Sequence, residues 1–149
     1  MTRVKSVVVA IAFLLVGAFV AFGQTDPRIG TWKLNLDKSH LTGPRPTSDT
    51  RTYEATPDGT KMTWIVVDAK GVSHTITYTA KLDGKDYVAS GARNFDTVAF
   101  KPLGPKILEM TLKKGGNVVQ QVKVEVSQDG KTMTQGTPGA GGIVFDRVK

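Results

Sequence analysis

Residues 30–36 read Gly-Thr-Trp-Lys-Leu-Asn-Leu, and apolar side chains alternate with polar ones along this segment. Trp32, Leu34 and Leu36 share one face of an extended chain, and the residues between them are polar. An apolar residue at every second position indicates a strand with one buried face. Asp26-Pro27 precedes the segment, and the proline prevents a helix from running into it. We therefore expect this strand to open the folded domain.

The same alternation recurs along the rest of the chain and is interrupted by turn sequences such as Asp58-Gly59, Asp83-Gly84 and Asp129-Gly130. Further strands are predicted at residues 49–56, 61–68, 72–82, 87–89, 95–101, 106–113, 118–127, 131–135 and 143–148. Short strands at a spacing of roughly 8–12 residues indicate an all-β sandwich or barrel. Successive hairpins favour an up-and-down order, which closes readily and leaves no sheet edge. The predicted fold is an all-β, antiparallel up-and-down barrel of eight to ten strands.

Two local features of this prediction concern the second half of the barrel. The sequence Pro102-Leu103-Gly104-Pro105 is expected to end the strand over residues 95–101. The strand over residues 118–127 is expected to present Val118 on the same face as Val122, because the two residues are an even number of positions apart.

The N-terminus has the features of a secretory signal. Arg3 and Lys5 precede sixteen residues, 7–22, that carry no charged or polar side chain. Ala21-Phe22-Gly23 supplies small residues at a cleavage position before Gln24. The alternative is an uncleaved anchor, but sixteen helical residues span roughly 24 Å, less than the roughly 30 Å of a bilayer core. We favour cleavage, which leaves residues 24–149 as one exported domain without a stable membrane span.

The amino-acid composition indicates where in the cell the protein is located and which classes of partner it can bind. The chain contains no cysteine, so it has no disulfide and no lipid-carrying cysteine after the signal. An exported domain without disulfides favours a periplasmic or secreted bacterial protein. The net charge is +7, but the basic residues are dispersed and no basic run contains interleaved aromatic residues. Nucleic acid is therefore excluded as the expected partner.

The segment from Gly30 to Leu34 resembles the first strand of the calycins, the group that includes lipocalins and fatty-acid-binding proteins, where a Gly-x-Trp motif opens the domain. The C-terminal residues 144–148, Val-Phe-Asp-Arg-Val, resemble the last strand of the fatty-acid-binding branch. The resemblance implies that Trp32 closes one end of the barrel and that Arg147 packs over it, with Gly30 completing this structural site. It also implies a small exported lipocalin-like protein.

The sequence departs from that family in three respects. The connection over residues 38–48 is short and contains two prolines, so it leaves no room for the lid helices of fatty-acid-binding proteins. Their carboxylate-binding Arg-x-Tyr aligns with Ile143 and Phe145, so this acid-binding site is not carried over. The lipocalin disulfides are also absent.

Candidate ligand-binding residues come from the strand faces expected to point inward. His74 and Tyr78 lie four residues apart on one strand, so they share a face and are about 13 Å apart. If that face is interior, they are polar groups in an apolar lumen; otherwise their partners are neighbouring side chains or solvent. The remaining candidates for contact with a hydrophobic ligand are Trp64, Phe100 and Met110.

No catalytic, metal or cofactor motif is present. The only histidines are His40 and His74, they belong to different elements, and no thiolate accompanies them. Ser73 points to the face opposite His74, and no Gly-x-Ser-x-Gly occurs. The Gly-rich segment 136–142 lacks the Gly-Lys-Ser/Thr ending of a phosphate loop. The chain is therefore not expected to be an enzyme.

Three functions remain, and for the third, a barrel hydrolase or isomerase, no residue pattern specifies a mechanism. The first is binding of a small hydrophobic ligand inside the barrel. The second is a surface-acting module that binds or inhibits a protein partner while side chains fill the barrel. The second function is favoured by the size of the side chains expected to face inward, because large side chains would fill the lumen. These residues are Trp64, Tyr78, Phe100, Met110 and Met133. The volume of the lumen distinguishes the first two functions.

Overall fold

The computed structural model of the chain describes residues 25–136 and 141–148, and the predicted signal segment lies outside them. The described residues form ten strands: β1 (Gly30–Leu34), β2 (Ser48–Thr56), β3 (Gly59–Val67), β4 (Ser73–Ala80), β5 (Tyr87–Ser90), β6 (Thr97–Gly104), β7 (Ile107–Lys114), β8 (Asn117–Val126), β9 (Thr132–Gly136) and β10 (Gly142–Arg147). Every strand pairs antiparallel with its neighbours in sequence, and β10 returns to β1 to close the barrel. The predicted all-β up-and-down barrel is confirmed, with ten strands.

The first and last strands close the ring. Trp32 pairs with Arg147 and Leu34 with Phe145 across β1 and β10. Beyond the ladder, the side chain of Asn35 donates to a carboxylate oxygen of Asp146 at 2.7 Å. The two ends of the described domain are therefore joined by both backbone and side-chain hydrogen bonds.

Residues at every second position of each strand face the interior, as the pleat of a strand requires. Their buried members include Trp32, Tyr53, Met62, Ile76, Tyr78, Val98, Phe100, Leu108, Leu112, Val122, Val124, Met133 and Phe145. Each strand passes from one end of the barrel to the other, so the connections collect at two ends. One end carries the segment 25–29 that leads into β1; the other carries the loops after β1 and β5.

The prediction that residues 102–105 end the sixth strand is wrong. β6 continues to Gly104, and Pro102 pairs with Leu108 of β7. The register shifts between Pro102 and Gly104. A bulge of this kind tolerates a proline because the ladder is already irregular there.

The prediction that Val118 lies on the same face as Val122 is also wrong. Leu112 pairs with Gln120 but the next residue, Lys113, pairs with Val118, so β8 contains one extra residue. Such a bulge ends the simple alternation of faces. Val118 and Val119 are consequently 59% and 51% exposed.

Strand β5 has only two paired residues on each side: Tyr78 and Thr77 of β4 pair with Ala89 and Ser90, and two further pairs join β5 to β6. Gly91 follows this strand with a φ of 85°. A Cβ at this position would lie 2.0 Å from the carbonyl oxygen of Thr75. Glycine is therefore required where the chain leaves β5.

We predict that Gly91→Ala destabilises the barrel more than Gly84→Ala. Gly84 also has a positive φ, 75°, but nothing lies within 4 Å of an added Cβ. The backbone conformation alone costs an L-residue about 1–2 kcal/mol, and this is the loss expected for Gly84→Ala. Gly91→Ala should lose about 1–3 kcal/mol more because of its backbone contact. Urea unfolding followed by circular dichroism measures both losses, and equal losses would contradict the close approach.

Candidate functional site

One end of the barrel is closed by a fully buried arginine. Arg28 lies just before β1, has no exposed surface, and inserts between two aromatic rings. Its guanidinium carbon lies 4.1 Å from the centroid of the Phe100 ring and 4.8 Å from that of Tyr53. Its Nε and Nη2 donate to the two carboxylate oxygens of Asp26 at 2.9 and 2.7 Å. A buried cation is thus neutralised by a bidentate pair.

The ionisation states of Asp26 and Tyr78 at the closed end depend on both their burial and their contacts with Arg28. Burial alone would raise the pKa of Asp26, but hydrogen bonds and the charge of Arg28 outweigh it and hold that pKa below its ordinary value of 3.8. The hydroxyl of Tyr78 accepts a hydrogen bond from Arg28 at 3.2 Å. Burial raises the pKa of Tyr78 well above its ordinary value. The pair is therefore ionised and Tyr78 neutral at physiological pH.

Trp32 and Arg147 complete the closed end. The indole nitrogen of Trp32 donates to the carbonyl oxygen of Arg28 at 2.7 Å, and Trp32 has no exposed surface. The guanidinium carbon of Arg147 lies 4.2 Å from the centroid of the Trp32 ring. Arg147 also donates to the carbonyl oxygens of Pro27, Ile29 and Gly130. These contacts seal the end with stacked planar groups.

A second buried arginine lies farther along the lumen. Arg51 of β2 lies between Trp64 and Phe145, with its guanidinium carbon 4.2 and 4.3 Å from the two ring centroids. Its Nε and Nη2 donate to the Asp49 carboxylate, both at 3.2 Å, and its Nη1 donates to Oε1 of Gln135 at 2.6 Å. Burial alone would lower the pKa of Arg51, but Asp49 raises it above its ordinary value.

Beyond Arg51 the lumen contains a cavity of about 390 Å³ that opens at the end opposite Arg28. Its apolar wall includes the side chains of Met62, Trp64, Phe95, Val98, Met110, Leu112, Val122 and Ile143. Its mouth carries the polar residues His40, Thr42, Asn94 and Gln120. Three polar residues that are each less than 10% exposed, Arg51, Tyr53 and Gln135, also line the cavity. We call these three residues the cavity floor.

The floor contains polar groups without a partner among the described residues. Tyr53 is almost completely buried, and its hydroxyl makes no hydrogen bond with them. The amide nitrogen of Gln135, a residue 6% exposed, likewise makes none. The buried indole nitrogen of Trp64, which lines the same cavity, also has no partner. Of these three groups, only the Trp64 nitrogen is itself inaccessible to solvent, and a buried polar atom without a hydrogen bond is unusual in proteins.

A second cavity, of about 320 Å³, lies beside the first and shares Arg51, Trp64 and Ile143 with it. His74 lines this second cavity, and its Nε2 lies 3.1 Å from a carboxylate oxygen of Asp68. Hydrogen bonds from the backbone N–H of Val72 and from His74 lower the pKa of Asp68.

The residues predicted to bind a ligand lie at three different places in the barrel. Trp64, Tyr78 and Met110 line the 390 Å³ cavity. His74 lines the neighbouring cavity instead. Phe100 is fully buried against Arg28 at the closed end. A ligand contact for these residues remains a prediction.

Sequence analysis missed the two buried arginines. Both occur in the same pattern, Asp-x-Arg, as Asp26-Pro27-Arg28 and Asp49-Thr50-Arg51. Asp49 and Arg51 are two apart on β2 and share its inward face, whereas Asp26 and Arg28 are brought together by a turn in which the backbone N–H of Arg28 donates to Asp26. Arginine is normally exposed, so alternation alone assigns these residues to solvent.

Among residues 25–136 and 141–148, no three His, Cys, Asp or Glu side chains are close enough together to hold a metal ion. That part of the chain also contains no helix long and apolar enough to cross a membrane. Comparison of the sequence with models of protein families, with curated proteins and with solved structures finds no match. The closed ten-stranded barrel is compatible with a calycin-like fold.

Proposed function

We propose that this barrel binds a small, mostly apolar molecule in the cavity at its open end. The observation that carries the proposal is the 390 Å³ volume, bounded by apolar side chains and ending in a few polar groups. Small-molecule sites typically have about 300–1,000 Å³ and this combination of an apolar wall with a few polar groups. The volume falls in the lower part of that range and suits a compact ligand.

The division of the lumen supports binding over a completely filled barrel. Large side chains fill the end around Arg28 and Trp32, which have no exposed surface. Two of the large inward residues, Trp64 and Met110, line the cavity without occupying it. The proposal includes binding without catalysis, and an exported location that depends on the predicted signal segment.

The two tryptophans allow a direct test of binding. Trp64 lines the cavity, whereas Trp32 is sealed at the closed end. Trp32→Phe therefore leaves a reporter at the cavity, and Trp64→Phe leaves one away from it as the matched control. We expect the neutral fluorophore N-phenyl-1-naphthylamine to bind saturably, with stronger energy transfer from Trp64 than from Trp32.

Two results would count against lumen binding. Equal energy transfer in both variants, with no saturation, would place the fluorophore on the outer surface. Absence of uptake, together with a ligand-free mass in native mass spectrometry, would favour the alternative of a surface-acting module with a protein partner.

A further inference from the structure

We propose that the cavity selects an uncharged ligand that presents a hydrogen-bond acceptor to the floor, in preference to a carboxylate of the same size. This inference rests on the proposed function and specifies its ligand class. It follows from the charge and the hydrogen-bonding state of Arg51 and Gln135.

The cationic charge of Arg51 is already matched. Both oxygens of Asp49 accept hydrogen bonds from it, and Trp64 and Phe145 cover both faces of the guanidinium group. Apart from Arg51 and His40 at the mouth, no Lys, Arg, His, Asp or Glu among the described residues lines this cavity. A carboxylate at the floor would therefore add an uncompensated negative charge in a desolvated site, which is strongly unfavourable.

The free groups at the floor are mainly donors. Arg51 has five N–H groups, and three of them are engaged by Asp49 and Gln135. The contact at 2.6 Å between Arg51 and Gln135 fixes the amide orientation, because the opposite orientation would place two donors against each other. The amide nitrogen of Gln135 therefore remains as a donor, and the hydroxyl of Tyr53 can donate as well.

A neutral carbonyl oxygen matches this arrangement. It accepts two hydrogen bonds without bringing a charge, and an attached apolar chain would extend along Met62, Val98 and Leu112 toward the mouth. The polar end of the ligand would thus be buried and its apolar body would lie nearer the mouth.

The test compares two ten-carbon compounds, 2-decanone and decanoate, as competitors of N-phenyl-1-naphthylamine at pH 8, where decanoate is ionised. We expect 2-decanone to displace the fluorophore from the unmodified protein at a concentration at least about tenfold lower, equivalent to about 1.4 kcal/mol. Equal or better displacement by decanoate would overturn the selectivity while leaving lumen binding intact. Failure of the fluorophore itself to bind would overturn both proposals.

A charge variant tests the cause. Asp49→Asn removes the carboxylate that neutralises Arg51, and it should improve decanoate binding at least about tenfold relative to 2-decanone. Asp68→Asn is the matched control, because Asp68 lines the same neighbouring cavity as Asp49 but pairs with His74 and not with Arg51. An unchanged ratio in folded Asp49→Asn, or an equal change in Asp68→Asn, would overturn the assigned role of Asp49. If Asp49→Asn does not fold, the comparison in the unmodified protein still decides the selectivity.

Discussion

Replacing Arg28 by methionine is expected to lower the free energy of unfolding by about 3–5 kcal/mol at neutral pH, as typically follows when one partner of a buried ion pair is removed. Methionine retains an apolar stem between Phe100 and Tyr53 but leaves the Asp26 carboxylate buried without its cation. Urea unfolding of the variant and the unmodified protein, followed by circular dichroism, gives the difference.

The pH dependence of that difference identifies its cause. In the unmodified protein the pKa of Asp26 is lowered, so its contribution is present above the ordinary value of 3.8 and is lost as the pH falls through the folded-state pKa. In Arg28→Met, burial without a cation should raise the pKa of Asp26 instead. The carboxyl group of Asp26 then becomes protonated as the pH decreases, which removes its buried, unpaired charge. The difference in the free energy of unfolding between the unmodified protein and Arg28→Met should therefore become smaller as the pH decreases toward 4.

The double variant Asp26→Asn/Arg28→Met provides the control, because it removes both charges. It should be more stable than Arg28→Met alone at neutral pH, and its stability difference from Arg28→Met should shrink on acidification. A loss for Arg28→Met that is below about 1 kcal/mol, or that does not change with pH, would contradict the role assigned to the ion pair.

Trp32→Ala is expected to cost about 3–5 kcal/mol, the usual loss for truncating a buried tryptophan. The substitution removes the ring beneath Arg147 and leaves the carbonyl oxygen of Arg28 without its indole donor. The same urea unfolding experiment measures the loss.

Trp64→Ala is the matched comparison for Trp32→Ala. Trp64 is only half-buried and lines a cavity, so its truncation enlarges space that already exists and should cost less. A loss for Trp32→Ala no larger than that for Trp64→Ala would show that the closed end contributes little to stability.

The regular part of the fold could be predicted because alternation reports directly on burial. The pattern around Trp32 gave the first strand, and the Asp-Gly turns gave the order of hairpins. The bulges at Pro102 and Val119 could not be predicted, because each depends on the register between two strands and neither strand alone contains that information.

The candidate site could be predicted only in part. Trp64, Tyr78 and Met110 line the cavity and were identified as apolar or amphipathic residues on inward faces. Arg51 and Gln135 were missed because their usual preference for solvent outweighs their position in the alternation. Their burial depends on partners distant in sequence, since 84 residues separate the two.

The weak attachment of β5 makes one side of the barrel wall easier to open than the rest. Separating this strand from a neighbour breaks pairing at only two positions, fewer than at any other junction between described strands. Thermal fluctuations should therefore part the barrel there first, with the earliest amide exchange along that seam. Such an opening beside β5 gives a ligand a lateral route into the barrel that does not pass the polar residues at the cavity mouth.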